Sequence, residues 1–364
     1  MASITIRASS FFLVFSLVLF LSIPNSATAT HPVSAVFAFG DSTIDSGNNN
    51  RFNTLFRGDH LPYGRDFSGH IPTGRFSNGK IATDYLTQIL GVKEVLPAYL
   101  DPHITDHDLL TGVSFGSGGS GLDINTATLT RVMDLNAQFE LFEEALMRMR
   151  RVVGVEKANE IIENALFVIS TGTNDMLYNA YLLPTRIIRY GSISGYQDFL
   201  LQNLHSFIQR LYGAGARRIM VAGLPPIGCL PIQVTINSIL PSQHWLQRVC
   251  NVQQNVDSEA YNTKLQSHVR LLQTILSGAK VAYFDIYTPI LDMVLSPTKY
   301  GFQQALQGCC GTGLIEMGPV CNVLDLTCSD PSKYLFWDAV HLTQTGYYFL
   351  AESGRQHLLP YFTS

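Results

Sequence analysis

The chain has 364 residues, 46% hydrophobic and 14% charged, with 24 basic residues against 28 acidic and six cysteines. A charged fraction this far below the roughly 25% of ordinary soluble domains excludes a disordered acidic chain and a charge-laced coiled coil. Without a long Lys/Arg cluster, nothing suggests a phosphate-tracking surface, so nucleic acid is not expected as a partner.

Residues 1–29 read as a secretory leader. Arg7 is their only charge, residues 11–23 are nearly all apolar, and Ala27-Thr28-Ala29 has the small-x-small pattern of a cleavage site. The apolar run falls short of the roughly 20 residues that span a bilayer. Cleavage after Ala29 is therefore expected rather than a stable membrane anchor, leaving residues 30–364 as a single domain. Loss of Arg7 would move the net charge from -4 to -5.

Five short runs rich in Val, Ile and Phe predict strands at 33–39, 113–115, 165–170, 219–222 and 281–284. Helical periodicity lies between them at 81–90, 135–153, 196–212 and 249–276, and again after Thr343. Strand and helix in alternation predict a parallel sheet covered on both faces. In 135–153 the apolar positions Leu135, Phe139, Phe142, Leu146, Met149 and Val153 form one stripe, expected to pack on the chain's own sheet.

Several motifs sit at or near the ends of these strands. Phe39-Gly40-Asp41-Ser42 closes the first, where Ser42 would stand at the carboxyl edge of the sheet, the edge at which open α/β folds bind ligands. A helix cap is an equally good account of the tetrapeptide alone. His103 and His107 are four apart, but position 104 is Ile, so the metalloprotease pattern fails.

Gly112-Val113-Ser114-Phe115-Gly116 matches the nucleophile elbow of α/β-hydrolases, yet Ser114 lies inside the apolar run rather than at a strand-to-helix turn. Gly116 to Gly121 matches the dinucleotide fingerprint, but 122–130, rich in Thr, Asn and Asp, is a poor helix start and no acidic partner follows at the required distance. Gly118 and Gly119 follow the second predicted strand, and Gly172-Thr173-Asn174-Asp175 the third.

Cys229, Cys250, Cys309, Cys310, Cys321 and Cys328 all lie beyond residue 228 and, in an oxidising compartment, suggest up to three disulfides. Adjacent Cys309 and Cys310 do not easily bond each other and are expected to reach Cys321 and Cys328, in an order left open, leaving Cys229 for Cys250. Near the C-terminus, Asp338 and His341 are three apart, which lets one turn of chain bring the carboxylate against the imidazole.

These blocks, with Asp-Ser-Gly-Asn-Asn-Asn at 45–50, Gly-Arg-Phe-Ser-Asn-Gly-Lys at 74–80 and Gly-Leu-Pro-Pro-Ile-Gly-Cys-Leu-Pro at 223–231, stand in an order that resembles the plant-type GDSL esterase/lipase family of the SGNH hydrolases. The resemblance covers nearly all of residues 30–364. It implies a three-layer α/β/α fold with a flavodoxin-like parallel sheet of about five strands, and a secreted, apoplastic ester hydrolase needing no cofactor or metal. It also implies a triad of Ser42, Asp338 and His341, and an oxyanion hole from Ser42, Asn174 and Gly119, with Gly118 as the rival glycine.

Thr43 stands where the motif has Leu, Ser114 and Gly116 replace Asn and Ala, and Leu342 replaces Pro, which is expected to loosen the loop carrying His341. The competing readings are a catalytically weak binding protein of the same fold, and an elbow enzyme using Ser114. Two long loops, 52–80 and 99–111, are expected to line the cleft, with Phe52, Phe56, Tyr63 and Phe67 available for an acyl chain or a sugar face.

Overall fold

The computed structural model describes residues 1–2, 33–239 and 246–363. The expected leader therefore lies almost entirely outside the described residues. The chain separates into residues 1–30 and 31–364, and among the described residues every strand and helix belongs to the second unit. No described helix is long and apolar enough to cross a membrane.

The centre of this unit is a parallel sheet of β1 (Val36–Gly40), β2 (Leu166–Ser170), β3 (Arg218–Ala222) and β4 (Lys280–Phe284), ordered β1-β2-β3-β4. Alternation along the strands sends Phe37, Phe39, Phe167, Ile169, Ile219 and Val221 into one buried cluster. Val36, Ala38, Leu166, Val168 and Met220 enter another. With apolar side chains on both faces, the sheet must be covered on both, which gives the three-layer α/β/α arrangement.

The helix Leu135–Val153 buries Leu135, Phe139, Phe142, Leu146 and Met149. Phe142 meets Phe37 and Phe39 edge-on at 5.6 and 5.7 Å. Asp134 caps this helix by accepting from the Ala137 N–H at 2.8 Å, and Ser192, Asn251 and Thr343 cap Ile193–Gly213, Val252–Ile275 and Gln344–His357 in the same way.

The second of the five predicted strands, 113–115, does not become a full ladder member, which leaves the sheet with four strands rather than five. Residues 111–117 run beside β1 on its free side, with the Phe115 N–H donating to the Ala38 carbonyl at 2.8 Å and the Ser117 N–H to Gly40 at 2.9 Å. Only an isolated Ala38–Ser114 bridge forms, because a three-residue run between Gly112 and Gly116 is too short to continue it. The segment 122–130, read from sequence as a poor helix start, does hold the helix Ile124–Thr130, since Asp123 accepts from the Asn125 N–H at 3.0 Å.

A second, two-stranded parallel sheet of β5 (Gln304–Gly308) and β6 (Tyr334–Phe336) leads directly into Trp337 and Asp338. Disulfides join Cys229–Cys250, Cys309–Cys328 and Cys310–Cys321. The last two tie the segment after β5 to the chain before β6, and the Cys309 and Cys310 N–H groups donate to the carbonyls of Phe336 and Trp337 at 3.0 and 2.8 Å.

Candidate active site

Ser42 stands one residue beyond the turn that ends β1. Gly40 has φ +136°, and a Cβ there would lie 1.8 Å from the Ser170 carbonyl oxygen, so only glycine lets β1 run this close to β2. The Gln138 side chain clamps Gly40 from the helix below, accepting from its N–H at 2.8 Å and donating to its carbonyl at 2.9 Å. The Asp41 N–H donates to Ser170 at 3.0 Å.

From this platform Ser42 Oγ lies 2.7 Å from His341 Nε2, and His341 Nδ1 lies 2.7 Å from Asp338 Oδ2. Ser42 and His341 are each 7% exposed and Asp338 is fully buried. The other oxygen of Asp338 accepts from the backbone N–H groups of Val340 and His341 at 2.8 and 2.7 Å. The three residues singled out by sequence are thus one hydrogen-bonded chain that ends at a serine hydroxyl.

Gly119 and Asn174 line the same cavity as Ser42 and His341, a space of about 210 Å³. Among the described residues neither the Ser42 nor the Gly119 N–H has an acceptor. The Asn174 amide donates one N–H to the Ser120 carbonyl at 2.9 Å, which leaves its second N–H for another acceptor. The Gly118 N–H is taken by Asp45 Oδ2 at 2.9 Å, so of the two rival glycines only Gly119 has a free donor. Gly119 itself has φ +89°.

Ser114 is fully buried, and its Oγ donates to the Ile44 carbonyl at 2.6 Å. It therefore points into the packing beneath β1, away from the exposed turn an elbow nucleophile needs. His103 Nδ1 sits 3.1 Å from its neighbour Asp101 on the surface.

The cleft lining departs from the sequence expectation. Phe56 lines the cavity, but Phe52, Tyr63 and Phe67 do not, and no residue of 99–111 does. Phe67 lies under the Arg75 guanidinium at 5.0 Å. In place of the second loop, Ile315, Met317 and Val320 wall the cavity. The Cys310–Cys321 bridge folds their segment inward, and the Ala339 N–H anchors it by donating to the Glu316 carbonyl at 2.8 Å.

Tyr63 has a different place. Fully buried, its hydroxyl donates to Asp338 Oδ2 at 2.7 Å and accepts from the Gly318 N–H at 2.7 Å. Sequence reasoning singled it out only as a loop aromatic, and no local signal marks a contact to a carboxylate 275 positions away.

The motif blocks act as braces. Asn48 donates to the carbonyls of Ser114 and Gly116 at 3.0 and 2.7 Å, and Asn49 to that of Gly118 at 2.7 Å. Phe76 lies against the His341 ring with centroids 5.0 Å apart, and Ser77 Oγ donates to the Leu342 carbonyl at 3.1 Å. The loop carrying His341, expected to be loosened by Leu342, is held by that bond and by the Trp337 N–H donating to the His341 carbonyl at 2.7 Å. Thr43 Oγ1 bonds Asp41 Oδ1 and Ser170 Oγ, both at 2.8 Å.

Three carboxyls near the platform are buried. Burial pushes Asp41 and Asp45 up to about 6 and Asp175 up to about 7, against the opposing pull of the N–H and hydroxyl groups that donate to them.

The three-layer sheet fold thus brings a serine, a histidine and an aspartate together at its carboxyl edge, where open α/β folds place their ligand sites. Comparison with known proteins gives the class: the family model for GDSL-like lipase/acylhydrolase matches residues 36–353. GDSL esterase/lipase At2g40250 of Arabidopsis thaliana is 51% identical, covering 96% of each chain. At1g06990 of the same plant is 44% identical over 88% of this chain and 87% of its own, and At2g30220 is 43% identical over 93% of each. The chain belongs to the GDSL lipase/acylhydrolase family and is a carboxylic ester hydrolase.

Proposed function

We propose that this chain is a secreted serine esterase or lipase acting through Ser42, His341 and Asp338, on an acyl lipid, a polyester or an acetylated polysaccharide. The observation that carries the reading is the unbroken pair of 2.7 Å hydrogen bonds from Asp338 through His341 to a serine hydroxyl in an apolar cavity. Secretion is supported by the leader pattern at 1–29 and by the three disulfides.

Ser42 Oγ attacks the ester carbonyl while His341 Nε2 takes its proton, and Asp338 holds the ring with Nδ1–H toward itself and stabilises the imidazolium. The oxyanion is received by the free N–H groups of Ser42 and Gly119 and by the second N–H of Asn174. His341 returns the proton to the leaving alcohol, and water then cleaves the acyl-enzyme by the same route.

Replacing Ser42 with Ala should lower kcat on p-nitrophenyl acetate on the order of 10⁴-fold or more and abolish labelling by a fluorophosphonate. Labelling that persists in Ser42→Ala and disappears in Ser114→Ala would sink the assignment.

A further inference from the structure

Three large aliphatic side chains on the wall of the Ser42 cavity stand in solvent, and three more do so on the loop that follows one of them in the chain. Leu55, Ile315 and Val320 line the cavity yet are 72%, 52% and 50% exposed. Val323, Leu324 and Leu326, on the loop that continues from Val320, are 71%, 88% and 87% exposed. Single exposed leucines are ordinary on a protein surface, but exposed aliphatics on a cleft wall and on the loop that continues from it in the chain point to an interaction site.

The loop that presents them is held fast. Cys321 and Cys328 at its two ends are bonded to Cys310 and Cys309. Its backbone is tied by the Gly311 N–H donating to the Leu326 carbonyl at 2.9 Å and by the Leu324 N–H donating to Asn322 Oδ1 at 3.0 Å. Arg65 donates to Thr327 Oγ1 and the Cys328 carbonyl at 2.8 and 2.9 Å. These polar groups of the loop are thus partnered while its aliphatic side chains are exposed.

We propose that this rim is a docking surface for the acyl face of an aggregated, uncharged ester, such as a glyceride droplet, which seats the cavity mouth on the substrate phase. The inference rests on the esterase reading and narrows its substrate class to water-insoluble acyl esters. Continuity carries the choice of occupant: Leu55, Ile315 and Val320 belong both to the cavity wall and to the rim, so whatever covers the rim also delivers material to Ser42. Charge carries the rest. Between Cys321 and Cys328 the only charged residue is Asp325, so the loop offers nothing to an anionic lipid surface.

The test uses the full mature protein and a triolein emulsion. Flotation should recover the wild type with the droplets, and the triple variant Val323→Ser, Leu324→Ser, Leu326→Ser should bind at least tenfold less. Its ratio of kcat/KM on emulsified tributyrin to kcat/KM on dissolved p-nitrophenyl acetate should also fall at least tenfold. The control pair Leu271→Ser and Leu295→Ser, exposed elsewhere at 51% and 69%, should behave as wild type. Unchanged flotation of the triple variant overturns the docking surface. So does a wild-type dimer that the triple variant breaks while droplet binding stays the same. A wild type that floats but leaves p-nitrophenyl acetate intact overturns the esterase reading instead.

Discussion

The Tyr63 hydroxyl can be removed without disturbing the packing around it, because Tyr63→Phe keeps the ring against Phe76 and Trp337. Asp338 then loses one of four donors, the others being the His341 ring, the His341 N–H and the Val340 N–H. A hydrogen bond to a charged group is worth about 1.5–3 kcal/mol. Lost as misalignment of Asp338 against the His341 ring, this is about a 10- to 100-fold loss in kcat. KM should stay near wild type, since Tyr63 is absent from the cavity wall.

Two further effects separate a positioning role from a structural one. The Asp338 charge, less neutralised, holds the imidazolium more strongly, so the acid limb of the kcat/KM profile should move to higher pH. The Gly318 N–H loses its acceptor, which costs about 1–3 kcal/mol if it stays buried and should lower Tm by several degrees. Steady-state kinetics on p-nitrophenyl butyrate from pH 4 to 9, with calorimetry, reads all three. A variant with kcat within twofold of wild type and an unmoved acid limb would leave Tyr63 with no part in positioning Asp338.

If Asn174 is the oxyanion donor proposed above, Asn174→Ala should cost about 10²- to 10³-fold in kcat, measured by single-turnover acylation. Reduction of the three disulfides, each closing a loop for about 3 kcal/mol, should lower Tm and activity together, and unchanged turnover in strong reductant would count against the brace around Asp338. The raised carboxyls bear on stability. With Asp41, Asp45 and Asp175 near 6, 6 and 7 against 3.8 unfolded, the native state binds more protons between about pH 4 and 7, so stability falls as pH rises through that window. Glu316, held down to about 2 by its donors, costs stability in the opposite sense, as pH falls from its ordinary 4.5 toward 2. A Tm maximum on the acid side of neutrality is expected, and a Tm that climbs steadily from pH 5 to 8 contradicts it.

The four full strands were legible because each is a run of β-branched and aromatic residues, such as Leu166–Ser170, that fits a buried parallel sheet. β5 and β6 were not. Gln304–Gly308 has no β-branched residue and Tyr334–Phe336 is only three long, so their pairing is decided by the disulfides and by docking rather than by local propensity. At the site, Ser42, Asn174, Asp338 and His341 could be singled out because each sits in a short block at a strand end or before the last helix. The wall formed by Ile315, Met317 and Val320 could not, since its position depends on which of Cys321 and Cys328 takes Cys310. Tyr63 illustrates the same limit, its partner being set by tertiary contact alone.

Ser42 and His341 are 299 positions apart. The serine turn after β1 and Gly119 in the 112–121 loop both lie in the first half of the chain, whereas the imidazole and its carboxylate follow β6, just beyond the segment tied by the Cys309 and Cys310 disulfides. A chain that ends before residue 338 therefore keeps the serine turn but lacks both the carboxylate and the imidazole that reach it. On the proposed mechanism the base for Ser42 is therefore among the last parts of the chain to be made, and a polypeptide that stops short of the C-terminal helix holds the serine with nothing to take its proton.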